Sequence, residues 1–305
     1  MDIKQVLAAL ETFAPLPLQE SYDNAGLQIG LTGEQDVTGA LLCLDVTIDV
    51  VEEAIRSGFN LIVSHHPLLF RGLKRISQDG TSVERIVMKA IQNNIAIISM
   101  HTNLDNAPGG VNHKMAEKLG LENVRFLQPM NRGGHEGGSG VIGEISAAAP
   151  GVPFVEYVKA VFKAPCALCS ADLPPAPSFQ DGEGLHHPEG HFSPRPERLL
   201  SPDKRGSQEG VGQGEGPDGV IKVALCGGAG SFLLDEAKAQ GADVFITGEM
   251  HYHEYFEALD DIQIIVLGHY ETEQFTSELL QEVLANNCPD LPTRLFGSTN
   301  PIYVK

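Results

Sequence analysis

Short apolar runs alternate with helical patterns along most of this chain, and this alternation constrains the fold more than any other feature. The helical patterns place apolar residues three and four positions apart, and Thr81 and Glu84 stand in capping-box spacing before one of them. We expect Ser231 to cap another helix that ends near Gly241, and residues 273–285 to form the last long helix. Buried strands that alternate with helices are typical of α/β proteins with largely parallel sheets. We expect two interlinked α/β lobes. The apolar runs span residues 39–44, 61–63, 95–99, 220–225, 244–247 and 262–267.

One segment interrupts this pattern. The 46 residues 174–219 contain 9 Gly and 8 Pro, and their apolar residues follow neither the strand period nor the helix period. Such a segment cannot bury enough apolar surface to offset the entropy lost on ordering. We therefore expect a disordered insertion at 174–219. The expected division is an N-terminal lobe at 1–125 and a C-terminal lobe at 126–305 that contains the insertion.

The charge balance limits the partners of the chain. There are 21 Lys and Arg residues against 40 Asp and Glu residues, which gives a net charge of -19. DNA, RNA and anionic membranes require clustered cations, so this balance disfavours them as partners. No apolar run has the length of a membrane span, and the five cysteines are too scattered for a disulfide scaffold. We expect a cytoplasmic protein that binds neither a membrane nor nucleic acid.

Histidines and carboxylates directly follow four of the predicted strands. Ligands of open α/β sheets bind outside the carboxyl ends of the strands, so these side chains are expected to meet at one site. Imidazoles and carboxylates without a thiolate suit Zn, Fe, Mn, Ni or Co, and a carboxylate that bridges two such ions can serve hydrolysis. A lone histidine after a strand is usually a capping or core residue. Because four strands are each followed by histidine and carboxylate residues, we favour a metal site between the lobes. The residues are His65, His66, His101, Asp105, Glu249, His251, His253, His269 and Glu273.

The spacing within these groups also suits a common site. Pro67 forces an extended turn after His65 and His66, which lets both rings lean toward one point. His269 and Glu273 are four residues apart, which places them on one face of a helix. The segment 101–105 has the same spacing in a predicted loop.

Two further motifs have plainer explanations. Cys166 and Cys169 form a single CxxC without a second pair, so packing of a strand is favoured over a zinc ribbon. The glycine-rich turn 227–231 is either an anion site through its backbone N–H groups or simply a tight turn from strand to helix. The histidines of the insertion are expected to be solvated; they are His186, His187 and His191.

Motifs spread over nearly all of the chain outside the insertion match one known family. Residues 21–30 read Ser-Tyr-Asp-Asn-Ala-Gly-Leu-Gln-Ile-Gly, and residues 64–67 read Ser-His-His-Pro. The other matching segments are 101–105, 109–112, 226–231, 247–249 with His253, and 268–273. In these motifs the chain resembles the GTP cyclohydrolase 1 type 2 homologues, which are Nif-three-like proteins with a dinuclear metal centre.

The resemblance implies two divalent metal ions in each subunit. It implies that His66 and Asp105 bind one ion, that His65 and His269 bind the other, and that Glu273 bridges them. It further implies a toroidal homohexamer whose metal sites face an internal cavity. Longer relatives carry a compact regulatory-type domain where this chain has its insertion, so no function of that domain is carried over.

The resemblance also implies that His101 lies near the metals, as an outer ligand partner or a proton-handling group. From their positions after the predicted strands, we expect His101 or Glu249 to transfer a proton and His253 to orient a small-molecule substrate.

The expected function is that of a metal-dependent hydrolase. The family name suggests that water opens the imidazole ring of GTP, and a phosphoester or another nucleotide-derived substrate is equally compatible with the residues. No P-loop is present. The alternative is a metal-binding oligomeric assembly or regulatory partner without catalysis. A closed ligand shell on both ions would favour that alternative.

Overall fold

The protein is described from a computed structural model that covers residues 1–30, 36–146, 153–170, 220–258, 261–297 and 300–302. The predicted insertion 174–219 and its three histidines lie outside the described residues. In the part of the chain described, the strands are β1 (Gly26–Ile29), β2 (Ala40–Cys43), β3 (Leu61–Ser64), β4 (Ala96–Ser99), β5 (Glu122–Arg132), β6 (His135–Ser146), β7 (Leu168–Cys169), β8 (Val220–Cys226), β9 (Val244–Thr247), β10 (Gln263–Val266) and β11 (Thr293–Leu295).

The helices follow capping signals that are visible in the sequence. Asp2 caps the first helix by accepting from the backbone N–H of Gln5, and Thr81 and Glu84 form the predicted capping box. Gly120 ends another helix in the left-handed conformation, with φ of 75°. The α-helices are α1 (Ile3–Phe13), α2 (Ile48–Ser57), α3 (Ser82–Gln92), α4 (Thr102–Asp105), α5 (Val111–Leu119), α6 (Phe154–Val161), α7 (Leu234–Ala239), α8 (His269–Glu273) and α9 (Thr276–Asn287).

The first sheet has the strand order β1-β4-β3-β2-β11. Its strands are parallel apart from β1, which pairs antiparallel with β4 at the edge. The prediction of a parallel α/β sheet is confirmed here. Because β11 returns from the C-terminal part of the chain to pair with β2, the two halves of the sequence are interlinked.

The second sheet is mixed, with the order β5-β6-β8-β9-β10-β7. Only β8, β9 and β10 run parallel, whereas β5, β6 and β7 join antiparallel. The long hairpin of β5 and β6 was not predicted, although its Gly133 and Gly134 turn, with φ of 62° and 84°, is a sequence signal for a two-residue hairpin. β5 also runs across the expected lobe boundary at residue 125.

Two predicted helices have different limits in the structure. A long final helix was expected from residue 273 to 285, but the chain forms the short α8 and then α9. The helix expected after Ser231 begins with a 3₁₀ turn at Ser231–Leu233 and continues as α7. Ser231 does not cap it, because its hydroxyl instead donates to Glu254.

One apolar core joins the two sheets. It contains buried residues of β2, β3 and β4 from the first sheet and of β8, β9 and β10 from the second. Helices α1, α5 and α9 contribute to the same core. The carboxyl ends of β3 and β4 therefore lie close to those of β9 and β10, and the segments that follow these strands form the candidate site.

Candidate metal centre

His65 is fully buried just beyond the end of β3. Its Nδ1 lies 2.7 Å from the backbone oxygen of Met100, and because a carbonyl can only accept, Nδ1 carries the proton. The other ring nitrogen, Nε2, has no hydrogen-bond partner among the described residues. It faces Asp105 Oδ1 at 3.6 Å and Glu273 Oε2 at 3.8 Å. A ring nitrogen without a hydrogen-bond partner among the described residues and two carboxylates thus converge in a buried space.

His66 and His269 meet on the other side of Glu273. Their Nε2 atoms are 3.3 Å apart, and Glu273 Oε2 lies 3.0 Å from His66 and 3.1 Å from His269. At the far side of each ring, Nδ1 is held by a carboxylate: Asp45 at 2.8 Å for His66 and Glu249 at 2.9 Å for His269. The predicted placement of His269 and Glu273 on one helix face is confirmed, because both belong to α8.

His101 stands beside this group. Its Nδ1 lies 2.7 Å from Asp23 Oδ1, and its ring centre is 5.3 Å from that of His65 and 5.5 Å from that of His66. Asp23 also accepts from the backbone N–H and the hydroxyl of Thr102. Burial works against the Asp23 charge, but these hydrogen bonds lower the pKa of its carboxyl to about 2. An ionised, buried carboxylate therefore fixes the orientation of His101.

Asp105 reaches the site through a short helix rather than the predicted loop. Helix α4 carries Thr102 to Asp105, and the backbone N–H of Asp105 donates to the carbonyl of His101. Burial and the nearby charge of Glu273 raise the pKa of Asp105 to about 7. Asp105 and Glu273 both face His65 Nε2, and two ionised carboxylates in one buried site repel each other unless a cation lies between them.

The charges around Glu273 show how strongly this carboxylate attracts positive groups. Burial raises the pKa of Glu273, but the surrounding imidazoles, with His269 foremost, lower it well below the usual range. For His66 and His269, which are charged when protonated, burial lowers the pKa. Hydrogen bonds to carboxylates raise the pKa of both histidines by more than burial lowers it. The pKa of His66 rises to about 10 through Asp45 and Glu273, and that of His269 to about 9 through Glu273.

These residues fit a metal ion by the chemistry of their donor set. All four histidines have Nδ1 held by an outer acceptor, which is the pattern that orients metal-ligating imidazoles. Their ligand atoms form two groups, each within 4.8 Å, which share His66: one is His65 with His66 and His101, and the other is His66 with His269 and Glu273. The shortest contacts place His65 with Asp105 and His66 with His269, which differs from the division that the family resemblance implies.

The glycine-rich turn after β8 serves Glu273 rather than an anion. A side-chain carbon at Gly228, whose φ is 57°, would lie 2.3 Å from Glu273 Oε1. Three of the turn's N–H groups are already bound by side chains, so the tight-turn explanation is favoured over the anion site. These N–H groups are those of Gly227, Gly228 and Gly230, and their acceptors are Asn112, Thr272 and Thr247.

Asp23 and Asp45 hold site imidazoles, a role that was not predicted for either residue. Asp45 follows the strand at 39–44, so the rule that located the histidines at strand ends could have found it. Asp23 lies within the quoted 21–30 motif, but it is 78 residues from His101 and no spacing rule connects the two.

Three other predicted residues lie at the edge of the site or away from it. His253 is exposed on a 3₁₀ helix, Tyr252–Ala258, and its ring packs against Tyr252, so its substrate role stays a prediction. Cys169 lies on β7, which confirms the strand. Both CxxC thiols are exposed, however, so the packing of this strand does not bury them.

Two cavities flank the centre. A cavity of about 200 Å³ is lined by Tyr22, His101, Asp105, Phe232 and Glu273, among others. A second cavity of about 350 Å³ lies on the side of His66 and His269, with largely apolar walls from residues 165–168, from the end of β10 with the segment after it, and from residues 300–302. Both cavities include His269, so small molecules can approach the centre from two directions.

The model of one protein family, Duf34/NIF3 (NGG1p interacting factor 3), matches residues 1–176 and 207–301. The chain belongs to the Duf34/NIF3 family. A GTP cyclohydrolase 1 type 2 homolog of Staphylococcus epidermidis is 30% identical over 93% of both chains. One from Clostridium acetobutylicum is 29% identical over 90% of this chain and 85% of its own.

Solved structures of related proteins support the same fold. A hypothetical protein of Staphylococcus aureus is 25% identical, with a TM-score of 0.76, over 100% of this chain and 99% of its own. A Bacillus cereus protein related to NIF3 is 24% identical, with a TM-score of 0.74 and the same coverage. The predicted family and α/β fold are therefore confirmed. Among the described residues of this Duf34/NIF3 member, no helix is long and apolar enough to cross a membrane.

Proposed function

We propose that this chain is a dinuclear-metal-dependent hydrolase. The observation that carries the proposal is the buried His65 Nε2, which has no hydrogen-bond partner in the described part of the chain and faces the carboxylates of Asp105 and Glu273. Electron-rich atoms that converge in a buried space repel one another unless a cation lies between them. Imidazole and carboxylate ligands suit Zn, Fe, Mn, Ni or Co.

Glu273 is the residue best placed to bridge two ions. One oxygen, Oε2, lies 3.0 Å from His66 Nε2, 3.1 Å from His269 Nε2 and 3.8 Å from His65 Nε2. Two divalent ions held by the five predicted ligands would supply Lewis acidity and lower the pKa of water toward neutrality. How the ligands divide between the two ions stays a prediction.

His101 is proposed to handle the proton of the reaction. Asp23 holds its Nδ1–H, so the remaining ring nitrogen is oriented beside His65 and His66 and can accept or release a proton. Glu249 contacts His269 Nδ1 and is exposed, which places it between the centre and solvent. Glu249 thus orients His269, and its predicted role in proton transfer rests on that exposure.

A nucleotide-type or phosphoester substrate is proposed on the basis of the family. The curated relatives carry the name GTP cyclohydrolase 1 type 2 homolog, and that name describes those proteins. With a net charge of -19 on this chain, an anionic substrate would need the positive charge of the metals for binding.

The decisive variant is Glu273→Gln. It removes the bridging charge while it keeps the size of the side chain, so we expect the metal content to fall from two ions per chain to at most one. Hydrolysis of a panel of nucleotides and phosphoesters should fall at least about a hundredfold, in line with the loss of a central electrostatic group. Metal analysis and steady-state kinetics measure the two effects.

Glu271→Gln is the matched control. Glu271 lies on the same helix and is similarly buried, but its carboxylate accepts from Asn300 and not from a site histidine. Its metal content should equal that of the wild type. Normal turnover by a metal-depleted Glu273→Gln protein would contradict the proposal.

The same measurements distinguish the hydrolase from the alternative function, a metal-binding assembly without catalysis. Two firmly bound ions without turnover of any substrate would support a non-catalytic metal-binding assembly. The homohexamer stays a proposal from the family resemblance, and light scattering of the metal-loaded protein tests it.

A further inference from the structure

Two large aromatic side chains stand exposed at the 200 Å³ cavity. Tyr22 is 65% exposed and Phe232 is 63% exposed, and both line the cavity that reaches Asp105 and Glu273. They arrive from distant parts of the chain, Tyr22 from the segment before β1 and Phe232 from the turn after β8. Exposed aromatic side chains at a cavity are typical of ligand contacts, since each offers a broad apolar face.

The polar side chains of the cavity wall are already used inside the protein. These internal hydrogen bonds hold the wall in place, and they leave few groups free to form hydrogen bonds with the edge of a ligand. A ligand would therefore be recognised chiefly through its faces and through the centre itself. The internal bonds join the Thr102 hydroxyl to Asp23, Asn112 Nδ2 to the Asp105 carbonyl, Asn112 Oδ1 to the Gly227 N–H, and the Ser139 hydroxyl to Asn106 Oδ1.

The side chains of the cavity wall offer an anionic group few positive charges. The ionisable residues that line it include the acids Glu20, Asp105 and Glu273 and the imidazoles of His101 and His269, and no Lys or Arg is among its described lining residues. Arg132 binds Glu20 from outside the cavity, at 3.0 Å. A phosphate inside the cavity would therefore depend on the metal ions for its positive charge, whereas a neutral ring would not.

The volume limits what can enter. At about 200 Å³ the cavity is smaller than the roughly 300–1,000 Å³ of sites that enclose a drug-sized ligand. It can hold a ring system but not a whole nucleotide.

We propose that Tyr22 and Phe232 form an aromatic rim that stacks on a planar heteroaromatic ring, neutral or cationic, and directs the edge of that ring toward the metal centre. Any sugar or phosphate lies outside the rim. The inference deepens the proposed function and rests on it, because it names the ring as the part of the substrate that reaches the centre.

The chain contains no tryptophan, which allows a direct optical test. In Phe232→Trp the single indole would lie at the rim, and a stacked purine ring should quench its emission. Guanosine and adenosine, added to the metal-loaded protein, should quench in a saturable manner. Ribose 5-phosphate, which lacks the ring, should not. The matched control is Phe256→Trp: Phe256 is 56% exposed and is not among the described residues that line this cavity.

Direct binding measurements test Tyr22, the other residue of the rim. Tyr22→Leu should weaken nucleoside binding at least about fivefold, since stacking of one base on an aromatic side chain contributes about that factor or more. Tyr22→Phe keeps the ring and should bind as the wild type does. Metal analysis of both variants shows whether the centre itself has been disturbed.

The outcomes separate this inference from the hydrolase proposal. If nucleosides leave Phe232→Trp unquenched while its metal content is normal, the rim does not stack rings, whatever the centre hydrolyses. Equal quenching of Phe256→Trp, or equal loss of ribose 5-phosphate and nucleoside binding in Tyr22→Leu, would also overturn the inference.

Discussion

On one side of the candidate metal centre the imidazoles are held by buried acceptors, whereas on the other side they are held by exposed carboxylates. On the inner side, His65 donates to the Met100 carbonyl and His101 to Asp23, whose side chain is 0% exposed. These acceptors belong to the packed interior, so moving them would disturb the fold.

On the outer side, His66 donates to Asp45 and His269 to Glu249, and these carboxylates are 56% and 59% exposed. Water can replace either one at modest cost. The difference indicates that the inner side is fixed by folding, while the outer side can be altered without loss of the fold.

The largest expected effect on stability is that of Asp23→Asn. The folded pKa of Asp23 is depressed to about 2, so its ionised form stabilises the fold above the unfolded pKa near 4. That contribution is lost as the pH falls toward 2. We expect the free energy of unfolding to drop by about 2 kcal/mol at pH 7, and the difference from the wild type to shrink between pH 4 and pH 2. Urea denaturation of the metal-free protein measures both.

Asp36→Asn is the exposed counterpart. Asp36 pairs with the N-terminal amine and is 89% exposed, so its loss should change stability by no more than about 0.5 kcal/mol. If Asp23→Asn and Asp36→Asn destabilised the protein equally, the proposed difference between buried and exposed carboxylates would be wrong.

Much of this architecture follows from rules that act locally along the chain. The strand ends at His65, His101 and His269 were predicted because apolar runs and capping residues can be read from neighbours. The acceptor of His65 could not be predicted, since it is a backbone carbonyl and any residue carries one. The pairing of Asp23 with His101 depends on how the chain folds back, and no local pattern encodes it.

A smaller effect, on metal binding alone, is expected from Glu249→Gln. Loss of an outer partner of a metal-ligating histidine typically weakens metal affinity by about 10–100-fold. Because Glu249 is exposed, we expect about tenfold, with the free energy of unfolding of the metal-free protein unchanged. Competition with a coloured chelator measures the affinity.

Glu278→Gln serves as its control, because Glu278 is similarly exposed but pairs with Lys118. If Glu249→Gln destabilised the fold as much as Asp23→Asn does, the two sides of the centre would not differ as described.

The central claim is that Glu273 bridges two metal ions, and anomalous scattering tests it most directly. A crystal of the protein loaded with zinc or manganese should show two peaks beside the Glu273 carboxylate, about 3.5–4 Å apart. One peak should lie near His65 and the other near His269. A metal-loaded crystal without a peak at Glu273, or with peaks only elsewhere, would contradict the account.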